Sequence, residues 1–188
     1  MMRLWLACLL LAATVGLGNA ASSGMSSTAA PPLMDITPKG EKGEPLEVRG
    51  VIYQADGRTP VAGAEMIFYH TDAAGHYSKG GQDRGHATFS GKIVTGVDGR
   101  YGFRTIRPGH YPGGRTPQHI HFGVQAKDGR TLNTELRFAD DPAIGEGGRA
   151  RAKEAARLGD RFYEVRTVER DAKGVQLCTF DMRFATGD

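Results

Sequence analysis

From residue 45 onward, apolar and polar positions alternate with a period of two over much of the chain. In 46–53, Leu46 and Val48 alternate with Glu47 and Arg49, the pattern of a strand that buries one face. The run 61–70 gathers Met66, Ile67, Phe68 and Tyr69, residue types that suit a pleated, half-buried surface. Further strand-like runs occupy 93–105, 120–126, 134–138, 162–169 and 175–184. Glycine-bearing turns separate them. Val97-Asp98-Gly99-Arg100 and Lys127-Asp128-Gly129-Arg130 predict hairpins, because Gly accepts the positive φ of such turns. Asp171-Ala172-Lys173-Gly174 predicts a third. Only 149–158, rich in Ala, Arg, Lys and Glu and followed by Gly159, predicts a helix. Short strands joined by tight turns predict an all-β fold: a β-sandwich with short hairpins, long loops and one short helix near the C-terminal third.

Composition agrees and narrows the classes. Glycine supplies 27 of 188 residues, which disfavours a helical bundle. Two cysteines exclude a disulfide framework and a CxxC zinc module. A net charge of +3 excludes a nucleic-acid binder recognised by bulk charge. Residues 1–20 stand apart, with Arg3, an apolar run through Leu17, and small residues at Gly18 and Ala20. This is the pattern of a cleaved signal peptide, and the run is too short for a stable membrane span. Export to the periplasm or beyond is expected. Residues 21–44, rich in Ser, Ala, Pro, Gly and Lys, read as a flexible arm. The domain proper then occupies 45–188. It keeps one cysteine, Cys178, whose neighbours Val175, Leu177 and Phe180 mark it as a small buried hydrophobe.

Candidate chemistry lies between Tyr77 and His121. In Gln118-His119-Ile120-His121-Phe122, the two histidines sit two apart in a predicted strand and share one face. They are either a metal-binding pair or two polar residues on a wet sheet surface. Pro108-Gly109 and Tyr111-Pro112 enforce a turn and an extended exit, presenting Tyr111 at a loop edge. Tyr77 occupies another loop, in Ala74-Gly75-His76-Tyr77-Ser78. Each tyrosine alone suits a packed loop aromatic equally well. Arg115 suits either a solvated charge or an anchor for an anionic ligand.

Together these segments resemble the intradiol ring-cleavage dioxygenases, in particular the protocatechuate 3,4-dioxygenase branch. The resemblance rests on Gly75-His76-Tyr77, on the run from Asp98 to Pro112, and on Arg115 followed by His119-Ile120-His121-Phe122-Gly123. It implies a β-sandwich holding a non-haem ferric ion, Fe(3+), through Tyr77, Tyr111, His119 and His121. Tyr77 and His119 would be equatorial, and Tyr111 and His121 axial. It implies a catecholic substrate and O2, with ring opening between the two hydroxyl-bearing carbons to a muconate-type diacid. Tyr111 would take up a substrate proton, and Arg115 would balance charge on the ring. A homo-oligomer is compatible with the full ligand set. Two departures stand out: Gly113-Gly114 where the family often carries Trp, and Glu135 where it tends to carry Gln. A second reading stays open. Residues 49–64 also resemble the opening hairpin of carboxypeptidase-regulatory and Cna-B-like modules, which implies a non-catalytic secreted β-sandwich binding a catecholic ligand or another protein.

Overall fold

The computed structural model describes residues 32–79, 81, 83–158 and 163–185, with no account of the side chains of 154–158. The predicted signal peptide and the first part of the arm lie outside the described residues. The elements, in chain order, are β1 (Met34–Asp35), β2 (Pro45–Tyr53), β3 (Glu65–His70), β4 (Phe89–Val94), β5 (Arg100–Ile106), β6 (His119–Gln125), β7 (Thr131–Phe138), helix α1 (Gly145–Leu158), β8 (Glu164–Arg166), β9 (Glu169–Arg170), β10 (Gln176–Thr179) and β11 (Met182–Arg183).

The period of two becomes two faces. β2 turns Leu46, Val48 and Ile52 inward, and β6 does the same with Ile120, Phe122 and Val124. One sheet runs β1-β5-β2-β10-β9, with β11 also on β2, and the other runs β4-β3-β6-β7-β8. Their inner faces meet in an aromatic core. Phe68 of β3 stacks on Phe103 of β5 at 4.0 Å between ring centroids, and Phe122 meets Phe180 at 5.2 Å. Each such ring contributes roughly 1.5–3 kcal/mol by leaving water. The predicted β-sandwich is therefore present, and Cys178 is buried in its core.

Several expectations need correction. Asp98-Gly99 does not close a hairpin. It carries the chain from β4 in one sheet to β5 in the other, because β4 pairs with β3 while β5 pairs with β2. The crossing is pinned where the Ile52 amide donates to the Gly99 carbonyl at 2.9 Å. The run 162–169 is likewise split, with β8 on β7 and β9 on β10. The second half of the arm is ordered: β1 pairs parallel with β5, and Ile36 packs against the core. The helix starts at Gly145, earlier than expected, because a 3-10 turn over Pro142–Ile144, capped by Asp141, feeds directly into it. The Asp128-Gly129 and Asp171–Gly174 hairpins are as predicted.

With Ile120 and Phe122 facing the core, His119 and His121 face outward from the second sheet. Register places Tyr69 of β3 and Glu135 of β7 on either side of His121, and Arg137 opposite His119. This outer face is the floor of the site.

Candidate metal centre

Two loops roof that floor. The first follows β3. Its Asp72 Oδ1 accepts from the amides of Ala74 and His76, both at 2.9 Å, and the Asp72 amide donates to the His76 carbonyl at 2.8 Å. The second follows β5. The loops lie backbone against backbone: the Gly109 amide donates to the Asp72 carbonyl at 2.8 Å, and the Thr71 hydroxyl to the Gly109 carbonyl at 2.9 Å. Gly75, at φ +87, permits this approach, since a Cβ there would fall 1.8 Å from the His110 carbonyl oxygen. The consequence is that Tyr77 and Tyr111, far apart in sequence, direct their hydroxyls to one point.

Asp141 ties the second loop to β6. Its buried carboxylate accepts from the Gln118 amide at 2.6 Å, the Ala143 amide at 2.9 Å and His110 Nε2 at 2.9 Å. Burial opposes its ionisation, but the bonds from His110, Ala143 and Gln118 outweigh it and hold the carboxyl below its usual range. One side chain thus positions the residues preceding both Tyr111 and His119.

Four donor atoms converge. The Tyr77 hydroxyl lies 2.9 Å from His121 Nε2, and the Tyr111 hydroxyl 2.9 Å from His119 Nε2. The two hydroxyls touch each other, and the two Nε2 atoms stand 3.1 Å apart. The tautomers follow from the outer partners. His119 Nδ1 faces the Pro117 carbonyl at 2.7 Å, which can only accept, so Nδ1 carries the proton. His121 Nδ1 lies 3.3 Å from Glu135 Oε1, a carboxylate whose charge favours the proton on that nitrogen. Both Nε2 atoms therefore present lone pairs to the same small space.

Burial keeps both imidazoles and the Tyr77 phenol neutral. Burial lowers the His119 pKa; burial and then the His119 charge lower that of His121 to about 4. Burial, then the Tyr111 hydroxyl, pushes the Tyr77 phenol well above its usual value. Two imidazole lone pairs and two phenol oxygens aimed at one point fit a hard cation, which would also supply the charge that phenolates need.

The sequence-predicted residues divide. Tyr77, Tyr111, His119 and His121 are brought together. Arg115 is exposed on the loop after Gly113-Gly114 and has no hydrogen bond, ion pair or ring contact among the described residues. A different arginine stands at the cluster. Arg84, in the 3-10 turn Arg84–His86, places its guanidinium carbon 5.5 Å from the Tyr77 ring centroid and faces the Tyr111 hydroxyl. Burial pulls its pKa down, but Tyr111, Tyr77 and Tyr69 outweigh that and hold it raised. Tyr69 stacks on His121, centroids 4.7 Å apart. Arg84, Tyr69 and Asp141 join the site without having been marked for it by the sequence. Cross-strand register would have exposed Tyr69; nothing in the local sequence marks Arg84.

Similarity to known proteins points the same way. A family model described as Dioxygenase matches residues 23–184. The protocatechuate 3,4-dioxygenase beta chain of Burkholderia cepacia is 32% identical over 164 residues, covering 76% of this chain and 68% of the relative. Catechol 1,2-dioxygenase 1 of Acinetobacter lwoffii is 34% identical over 129 residues, covering 59% of this chain and 41% of the relative. The chain thus spans less than half the length of that relative. The solved dioxygenase domain of a dioxygenase carbohydrate-binding protein fusion from Streptomyces sp. SirexAA-E matches with a TM-score of 0.61 at 28% identity, over 85% of this chain and 92% of that domain.

Proposed function

Because the chain belongs to the intradiol dioxygenase family, we propose that Tyr77, Tyr111, His119 and His121 hold a ferric ion and that the protein cleaves catechol-type rings. The ring opens between its two hydroxyl-bearing carbons, and both atoms of O2 enter a muconate-type diacid. The observation that carries this reading is the meeting of two phenol oxygens and two imidazole lone pairs at contacts of 2.9–3.1 Å. A module that binds only another protein has no use for that arrangement.

A bound ferric ion supplies the charge that keeps both tyrosines as phenolates and brings the catechol oxygens to a common electrophile. The protein's own groups do the rest. Neutral His119 and His121 are ready to bind without losing a proton from Nε2. Tyr111 is half-buried at the loop edge, where its oxygen accepts a proton from the incoming catechol hydroxyl. Arg84, over the tyrosine pair, balances the negative charge that builds as the catechol ionises, the part the resemblance implies for Arg115.

The test is oxygen uptake by ferric-loaded protein given catechol, protocatechuate and hydroxyquinol in turn. We expect a visible tyrosinate-to-iron absorption band, one O2 consumed per ring, and both atoms of isotopically labelled O2 in the diacid. Colourless protein that retains ferric iron and consumes no oxygen with any of the three overturns the reading. We further propose that residues 1–20 direct export; N-terminal sequencing of the exported protein should begin at Ala21.

A further inference from the structure

A line of side chains runs outward from the cluster behind His121. His121 Nδ1 faces Glu135 Oε1 at 3.3 Å. The other carboxylate oxygen, Oε2, accepts from Arg137 Nη2 at 2.8 Å and Nε at 3.1 Å. The Arg137 guanidinium lies over the Tyr163 ring, 3.8 Å from its centroid, and the Tyr163 hydroxyl donates to the Gly148 carbonyl of α1 at 3.3 Å. Glu135 is only 9% exposed. The ladder fixes this geometry, because Glu135 is the direct cross-strand partner of His121.

Glu135 could be mistaken for a metal ligand, since it, His119 and His121 offer ligand atoms within 4.8 Å of one another. The geometry says otherwise. It faces Nδ1, whereas both tyrosine oxygens gather at the Nε2 side, so His121 stands between Glu135 and the centre. The two histidines are also unequally supported: His119 Nδ1 faces a neutral carbonyl, and His121 Nδ1 lies against a carboxylate. A carboxylate behind a ligating imidazole fixes the ring and makes it a stronger electron donor. Arg137 draws on the same carboxylate and moderates that donation.

We propose that Glu135 is a positioning residue that locks His121 toward the centre and tunes how strongly a bound ferric ion attracts electrons, with Arg137 as the counterweight. The inference rests on the ferric reading above. Substituting Glu135→Gln keeps the shape and removes the charge. His121 then donates less, the iron becomes more electron-poor, and the tyrosinate-to-iron band moves to longer wavelength. Iron affinity, measured by competition with a chelator, falls roughly 10–100-fold. Arg137→Gln frees the carboxylate and moves the band the other way, to shorter wavelength, with iron retained. Equal band positions and equal iron affinities in wild type and Glu135→Gln, or shifts of the same sign in both variants, overturn the proposal while leaving the ferric reading intact. A wild-type protein without the band removes both.

Discussion

His70 is fully buried, and both its ring nitrogens are engaged. Nδ1 donates to the Thr71 carbonyl at 2.7 Å, and Nε2 accepts from the Thr105 hydroxyl at 2.7 Å. Burial brings its pKa from 6.5 to about 4. The unfolded chain therefore takes up the proton first as the pH falls. Stability from this group is complete above about 6.5, declines between there and about 4, and is level below. The loss amounts to about 3 kcal/mol. Urea unfolding across that window should show the decline in wild type and a flatter profile in His70→Gln. A second residue-scale prediction concerns the arginines. Arg84→Gln should lower kcat on catechol by about 100-fold, the scale of losing one charge-stabilising donor, while Arg115→Gln changes it little. Equal losses from both variants would return the role to Arg115. The two tyrosines and two histidines were legible in the sequence only as a set: each alone suited a plainer reading, and their combination from Tyr77 to His121 carried the resemblance. Arg84 was not, because it reaches Tyr77 only through a fold in a loop that carries no motif of its own.

At the scale of elements, the site depends on two loops whose backbones approach closely at Gly75 and Gly109. Gly75→Ala would drive a methyl group into the His110 carbonyl and separate the hydroxyls of Tyr77 and Tyr111. Misplacement on that scale costs turnover about 100-fold, and the visible iron band should weaken in parallel. Gly114→Ala is the contrast. At φ +71 it is strained, but its Cβ would meet nothing within 4 Å, so it should cost about 1 kcal/mol in urea unfolding and leave the band in place. Strand existence was readable from alternation, and β2, β3, β6 and β7 lie where it put them. Partnership was not. Asp98-Gly99 has hairpin chemistry, yet it joins two sheets, because pairing is decided by which faces must close over Phe68 and Phe103. The Asp128-Gly129 turn has the same chemistry and does close a hairpin, since β6 and β7 bury the same face.

For the whole molecule, core and site occupy opposite faces of the second sheet, so they should fail separately. Phe103→Ala opens a void between the sheets and should cost about 3–5 kcal/mol in urea unfolding. The folded fraction should keep the iron band unchanged; loss of colour in folded protein would show that the two faces are coupled. The sandwich class was legible from composition and period. The parallel contacts of β1 with β5, β10 with β2 and β8 with β7 were not, because nothing local encodes partners 69, 130 and 28 residues away.

That β10–β2 contact has a consequence in time. Leu46 lies beside Gln176, so the centre of the first sheet waits for a strand that is made 130 residues later. Until β10 and the residues after it emerge, one edge of β2 is bare and Phe122 lacks its partner Phe180. Such late, long-range closure folds slowly and exposes sticky surface meanwhile. A chain built this way gains from being held unfolded until both β2 and β10 are available, and only then do the two sheets close over their shared core.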